Sequence, residues 1–239
     1  MSDYVIIEND RLYNIWNANK NTKLYKNEML RNHNLFNIIK KQTYVEKIID
    51  IGCGTGYLDY LMAKDRKQIT GVDLSKSSLS LFKEVADKFG IKQIHENLFN
   101  IELKNFDLVI SQEVLEHLEN YESAISKMSE FIKENGFGLF CVPYNENLNA
   151  KMINDPTTGE RIHKVGHLHS FTKEKLEMSI EKSGFKLIKS FLLVNKRTNK
   201  LFANLKIPVN SYTLFIDKIM NSLFPHKAAY LAVLCKKNK

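Results

Sequence analysis

The sequence predicts an α/β fold built on a mostly parallel sheet with helices on both faces. Three observations predict it. Short apolar runs alternate with helix-length amphipathic stretches. The runs KIIDI, FDLVIS and YLAVLC are near-continuously apolar, as strands covered on both faces are. A glycine-rich turn stands directly between the first run and the helix after it. Such alternation closes into parallel sheets whose ligands lie beyond the carboxyl ends of the strands. Function is therefore expected in the loops after the first, second and fourth strands.

Residues 1–44 read as helical, with Leu12, Ile15 and Trp16 and then Leu35, Phe36, Ile38 and Ile39 at helix-face spacing. With Tyr4, Tyr13 and Tyr25 they are expected to form a cover over the site. The half expected to bind a ligand, 45–143, opens with a strand over Tyr44–Ile51 and a helix over Tyr57–Lys64. Strand Gln68–Val72, helix Ser77–Phe89, strands Lys92–His95 and Phe106–Ser111, helix Tyr121–Ile132 and strand Gly136–Val142 complete it. Residues 144–171 are polar, carry the turn signal Asp155-Pro156-Thr157-Thr158-Gly159, and are long enough to be expected to do chemistry. Helix Lys173–Ser183 starts behind the N-cap Thr172, and strand Phe185–Val194 follows. The insertion 195–228 holds Tyr212, Phe215, Ile216, Ile219, Met220, Leu223 and Phe224 at helical steps behind Ser211, taken as the N-cap. Its apolar face is expected to pack on the domain or on a partner subunit in a homodimer; a membrane surface is less favoured, since only Lys218 marks the polar side. Strand Tyr230–Cys235 ends a single domain, 1–239.

Composition bounds the rest. The chain has 239 residues, 44% hydrophobic and 26% charged, enough for one large soluble domain. Its apolar stretches are shorter than the roughly 18 residues that a membrane span needs, and MSDYVIIENDR lacks a secretory leader's pattern. Cys53, Cys141 and Cys235 are scattered with no CxxC pair, which argues against a disulfide scaffold or a Cys-based zinc site and fits a reducing cytoplasm. A net charge of +8 favours anionic partners such as nucleotide-linked metabolites. No stripe alternates basic and aromatic residues, so no nucleic-acid groove is expected.

The strongest motif is Ile48-Ile49-Asp50-Ile51-Gly52-Cys53-Gly54-Thr55-Gly56-Tyr57. Three alternate glycines strip Cβ atoms from a strand-to-helix turn and let the backbone approach a ligand. A dinucleotide turn would need its third glycine at position 57, where Tyr57 stands. Asp50 would repel a diphosphate and attract a cation. Asp73, in Gly71-Val72-Asp73-Leu74-Ser75, ends the second strand where a carboxylate accepts both ribose hydroxyls. Together they ask for a nucleoside whose far end is cationic, as in S-adenosylmethionine.

On these two motifs the chain resembles the class I S-adenosylmethionine-dependent methyltransferases, from residue 46 to about 194 and again at 230–235. The resemblance implies a Rossmann-like sheet of seven strands, mostly parallel, with the last strand antiparallel and inserted between its neighbours. It implies S-adenosylmethionine as donor and S-adenosylhomocysteine as product. It assigns the cofactor to Asp50, Gly52, Cys53, Gly54, Gly56, Tyr57, Asp73, Leu74 and Ser75. To these it adds Asn97 and Leu98, where the family has an acid near the adenine and this chain offers Asn97.

After the fourth strand comes Gln112-Glu113-Val114-Leu115-Glu116-His117-Leu118. The pattern E-V-L-E-H-L resembles ubiquinone-type and other small-molecule methyltransferases, which places Gln112 and His117 at the cofactor pocket. A second reading is a metal. Glu113, Glu116 and His117 share a face if a helix starts here. With His167, or with His163 or His169 as the distant ligand, they would hold Mg²⁺ or Mn²⁺, as in the similar small-RNA 2′-O-methyltransferases. The phrase G-H-x-H-x-F-T-x-E-x-L, then S-G-F, spans 166–185 and resembles methyltransferases of carbohydrate and lipid biosynthesis. It implies that the acceptor faces His167 and His169, either of which would serve as base. The expected catalytic set is His167, His169 and Glu113. The expected reaction is O-methylation of a sugar or nucleotide-linked sugar in surface-polysaccharide biosynthesis. The alternatives are a metal-dependent RNA 2′-O-methyltransferase, a quinone or lipid methyltransferase, and a binding module without turnover.

Overall fold

The computed structural model describes residues 23–155 and 158–238. Tyr4, Leu12, Tyr13, Ile15 and Trp16 of the expected cover lie outside them, as do Pro156 and Thr157. The chain runs α1 (Lys23–Lys40), β1 (Lys47–Ile51), α2 (Tyr57–Lys64), β2 (Gln68–Asp73), α3 (Lys76–Phe89), β3 (Lys92–His95) and β4 (Phe106–Gln112). It continues through α4 (Tyr121–Phe131), β5 (Ile132–Pro143), the short β6 (Met152–Asn154) and β7 (Arg161–His163), α5 (Lys173–Lys182) and β8 (Phe185–Asn195). The insertion supplies α6 (Lys196–Asn204) and α7 (Ser211–Leu223), and β9 (Ala228–Lys237) closes the sheet.

The seven strands lie in the order β3-β2-β1-β4-β5-β9-β8. β1 to β5 pair in parallel, while β9 runs antiparallel to both β5 and β8, between which it sits. This is the doubly covered sheet that the apolar runs predict. Successive strand residues feed opposite cores. Ile48, Leu108, Ile110, Leu139 and Leu234 pack toward α1, α2 and α3, where Leu35, Ile39, Met62 and Phe82 meet them. Ile49, Val109, Phe140, Val142 and Val233 pack toward α4 and α5, against Ile125, Met128, Phe131 and Ile180. Each such side chain fully buried is worth about 1.5–3 kcal/mol, so replacing any of them by a charged residue is costly on either face.

Boundaries differ from expectation where the backbone turns. Tyr44 has φ +67° and a solvent-exposed ring, so β1 starts three residues later. β5 begins at Ile132, directly after α4, and crosses an irregularity at Asn135 (φ +60°) before joining β4 in register. The polar stretch 144–171 contains an unforeseen hairpin of β6 and β7. Its connection is the predicted turn, where the Gly159 amide donates to the Asp155 carbonyl at 2.8 Å.

The insertion corrects two expectations. Asn210, not Ser211, caps α7: its side-chain oxygen accepts from the Tyr212 and Thr213 amides at 3.0 Å, and the Thr213 hydroxyl accepts from the Asn210 amide at 2.8 Å. Of the apolar face, Tyr212, Phe215, Ile219 and Leu223 point outward, Ile216 packs against the core, and Thr213, Leu214, Asp217 and Asn221 are buried. The reason is a polar clamp. The Asp217 carboxylate accepts from the Val194 amide (3.0 Å), the Asn195 amide (2.8 Å), the Asn221 side chain (3.0 Å) and the Thr198 hydroxyl. Val194 is β-branched and has φ +57°, a conformation that persists only where neighbours over-determine it. Asp217→Ala strands both amides in the interior. It is expected to lower unfolding stability by about 2–4 kcal/mol in urea melts, with Asp217→Asn losing less because one acceptor remains.

Candidate active site

A cavity of about 1220 Å³ opens over the carboxyl ends of β1, β2 and β4. Its floor is the glycine turn, folded back on β2. The Gly52 and Cys53 amides donate to the Val72 carbonyl at 2.8 and 3.1 Å, and the Gly54 amide to Asp73 Oδ2 at 2.7 Å. The other Asp73 oxygen accepts from the Ser75 amide at 2.7 Å.

The three glycines do different things. At Gly54 (φ +55°) a Cβ would meet nothing within 4 Å, so this backbone stands open to the cavity. At Gly52 a Cβ would come within 2.2 Å of Val114, and at Gly56 (φ +64°) within 2.1 Å of the Phe82 ring. Gly52 still lines the cavity; Gly56 does not, and is corrected to the contact that seats α3 against the turn.

Of the other residues assigned to the cofactor, Cys53, Tyr57, Asp73, Leu74 and Ser75 line the cavity, as do Asn97, Leu98, Gln112 and His117. Ser75 spends its hydroxyl capping α3, accepting from the Ser78 amide at 3.1 Å. Asn97 likewise accepts from the Phe99 amide at 3.0 Å, while Glu96 joins it on the wall. Asp50 is a further correction. It lies wholly buried below the turn, away from the cavity. Burial and the neighbouring Asp59 carboxyl push it well up, while burial raises Asp59 to about 7. The pair therefore retains a proton at neutral pH, which removes the cation-attracting role expected of Asp50.

No helix starts after β4. Glu113 has φ +57°, and only a single tight turn, Leu115–His117, follows. Glu113 lines the cavity but pairs with the Arg31 guanidinium at 3.2 Å, so it does not share a helix face with Glu116 and His117. His169 leaves the site as well: its Nε2 lies 2.9 Å from the Leu118 carbonyl and its ring packs against Tyr121 and Phe171. His167 stays. Its Nδ1 meets the Glu146 carboxylate, and its Nε2 lies 4.0 Å from Glu116. Burial works against the Glu146 charge, yet hydrogen bonds from His167 and Lys151 hold that carboxyl down to about 2.

Two groups have metal-ligand composition: Glu116, His117 and His167, and Glu146, His163 and His167. Tautomers separate them. His163 Nδ1 accepts from the His167 amide at 3.1 Å, so its Nε2 carries the proton and offers no lone pair. In the first group, His117 Nδ1 faces the Gly166 carbonyl at 3.3 Å and His167 Nδ1 faces Glu146, which leaves both Nε2 atoms free. Burial lowers His117 to about 4, so it is neutral at pH 7. Glu116 is 0% exposed, and neither of its carboxyl oxygens has a hydrogen-bond partner.

Sequence reasoning missed the opposite wall. Arg31 and Glu28 come from α1, and Tyr230 from β9. The guanidinium lies 4.7 Å from the Tyr230 ring centre with Nε unpartnered, and the Asn27 amide donates to the Tyr230 hydroxyl at 2.7 Å. Burial outweighs Arg31's attraction and raises Glu28 to about 8. Only the tertiary fold joins residues some 200 positions apart, so no motif announced them.

This fold and this turn are those of a class I S-adenosylmethionine-dependent methyltransferase. The chain belongs to the methyltransferase-domain family, which matches residues 43–200. Among curated relatives it is similar to ubiquinone biosynthesis O-methyltransferases. The one from Actinobacillus pleuropneumoniae serotype 7 is 29% identical over 117 residues, covering 45% of this chain and 50% of that protein. The mitochondrial one from Schizosaccharomyces pombe is 29% identical over 182 residues, covering 73% and 62%. The chain spans about half the length of the bacterial relatives it matches. Among solved structures, phosphoethanolamine N-methyltransferase 2 of Haemonchus contortus, in complex with S-adenosyl-L-methionine, superposes with TM-score 0.64 at 16% identity, over 87% of this chain and 52% of that one. The 1,6-didemethyltoxoflavin-N1-methyltransferase of Burkholderia thailandensis gives 0.65 at 11% identity, over 99% and 90%. These likenesses establish the fold.

Two outcomes test the site's construction. Gly56→Ala is expected to lower the melting temperature by the equivalent of about 2–4 kcal/mol, and Phe82→Leu in the same chain to recover part of it. Glu28 is raised in the fold, so its stabilising effect is complete below about pH 4.5 and fades as pH climbs through 8. Thermal melts from pH 6 to 9 should therefore show falling stability, on the order of a few kcal/mol, that Glu28→Gln flattens.

Proposed function

We propose that the chain methylates a hydroxyl oxygen of a small aromatic acceptor, a phenol or hydroxyquinone, with S-adenosylmethionine as donor and His167 as general base. The carrying observation is the His167 imidazole on the cavity wall, its Nδ1 held by Glu146 and its Nε2 open. The donor supplies a methyl group already activated on a sulfonium. Asp73 lines the cavity at the end of β2, where a carboxylate meets ribose hydroxyls, and Gly54 leaves room for close backbone approach. The unpartnered Arg31 Nε suits the carboxylate at the donor's amino-acid end. His167 Nε2 takes the acceptor proton, and Glu146 stabilises the imidazolium that results.

Two observations favour a quinone-type acceptor over a sugar. The relatives are named for ubiquinone biosynthesis. Leu148, Met152, Ile162 and Leu168 line the cavity beside His163 and His167, an apolar wall that suits a ring better than a polyol. A second reading rests on the unpartnered Glu116 carboxylate: Glu116, His117 and His167 would hold a divalent cation that lowers the pKa of a bound hydroxyl. Two imidazoles favour Mn²⁺ over Mg²⁺ there.

Transfer of labelled methyl groups to catechols, hydroxyquinones and sugar nucleotides separates these readings. Aromatic acceptors are expected to be labelled and sugar nucleotides not; the reverse would restore the sugar reading. His167→Ala is expected to cut kcat by about 10²–10⁴-fold with calorimetric affinity for S-adenosylhomocysteine unchanged. Turnover that survives EDTA supports His167 as base, while loss that Mn²⁺ restores supports the cation.

A further inference from the structure

We propose that α7 and the insertion around it form a docking surface for an anionic lipid bilayer. This goes beyond the methyl-transfer reading and rests on different residues.

α7 is built inside out. Tyr212, Phe215, Ile219 and Leu223 recur at three- and four-residue steps and are 70%, 60%, 42% and 64% exposed. The opposite side, with Thr213, Leu214, Asp217 and Asn221, is the buried one, and Ile216 packs against the core beside it. A helix placed by its larger apolar side chains would face the other way. The Asp217 clamp and the Asn210 cap hold this one instead, so the outward stripe is not what anchors α7. Among the described residues nothing covers it. A contiguous row of large apolar side chains kept in water marks an interaction surface.

Charge selects the occupant. Residues 195–228 contain Lys196, Arg197, Lys200, Lys206, Lys218 and Lys227 against a single acid, Asp217, which is buried. All six cations are exposed or half-buried, and Lys218 flanks the stripe on the helix edge nearest Phe215. A second copy on a two-fold axis would set this cationic segment against itself. A bilayer with anionic headgroups meets both halves of the surface, since apolar side chains enter the acyl boundary and each nearby Lys or Arg contributes about 1 kcal/mol. Among the described residues no helix is long and apolar enough to cross a membrane, so contact is with the surface. Topology sets the place. The insertion joins the carboxyl end of β8, which runs parallel to β5, to the start of β9, where Tyr230 lines the cavity. The surface thus lies along the catalytic edge of the sheet.

The test is co-sedimentation of the full chain with vesicles, of phosphatidylcholine alone or mixed equally with phosphatidylglycerol. It reads binding without any methyl transfer, so it stands apart from the acceptor assay. The chain is expected to bind the anionic vesicles about tenfold more tightly than the neutral ones, and less so in high salt. The triple change Phe215→Ser, Ile219→Ser, Leu223→Ser should lower that binding about tenfold or more with the melting temperature kept, because all three side chains are exposed. Lys200→Glu with Lys206→Glu and Lys218→Glu should abolish the preference for phosphatidylglycerol. Failure of the unaltered chain to bind anionic vesicles overturns the proposal. So does equal binding by the apolar variant, or a dimer in sedimentation velocity that this variant converts to monomer.

Discussion

The site depends on how the end of β1 is tied to the end of β2. Two amides of the glycine turn share the Val72 carbonyl, and the next free one reaches Asp73. These bonds bend the turn across the sheet edge and hold the open backbone at Gly54 beside the Asp73 carboxylate. Gly52 and Gly56 are required for a different reason. Val114 and Phe82 press into the spaces where their Cβ atoms would be, so the loop after β4 and helix α3 are seated directly on the turn. The glycine turn, the loop after β4 and helix α3 are therefore one packed unit. A change at Phe82 or Val114 propagates to the cradle without touching a ligand.

Below this floor the acids behave unlike those above it. Asp73, at the rim, accepts from two backbone amides. Asp50 and Asp59, one layer down, have only each other and an apolar surround, and keep a proton between them. A charged carboxylate at Asp50 would add a second negative centre close behind Asp73, which Coulomb repulsion disfavours in so little water.

The sheet was legible from the sequence because burial on both faces leaves a mark that needs no partner information: Ile48-Ile49 and Val109-Ile110 are apolar whichever way each side chain points. The glycine turn and Asp73 were legible for the same reason, being local. Three things were not. The left-handed backbone at Glu113 breaks the helical spacing of E-V-L-E-H, and a polar residue at positive φ carries no reliable signature. Arg31 and Tyr230 meet only through tertiary packing. That the apolar face of α7 packs on the domain only through residues such as Ile216 was not legible either, because periodicity marks which side is apolar but not which side the fold covers. Asp217, one charge on the side opposite the exposed apolar residues, was the available clue: its four donors are in the interior, and they decide the orientation.

The histidines show how a site assigns chemistry through donors rather than through residue type. His163, His167 and His169 lie within seven positions, yet each has a different nitrogen in use. His169 spends Nε2 on the Leu118 carbonyl and is held among aromatic rings. His163 spends its lone pair on the His167 amide, which leaves a proton on the side facing Glu146. That arrangement stacks the His163 ring on His167 at 4.8 Å and turns His167 so that its Nδ1–H donates to Glu146. Beside the one on His117 Nε2, the lone pair left near Glu116 is that of His167 Nε2, 4.0 Å away. Base and cation ligand are alternative uses of that single lone pair, and both require the tautomer that Glu146 and His163 impose. Replacing either positioning residue would act on His167 through its proton, before any contact with an acceptor is lost.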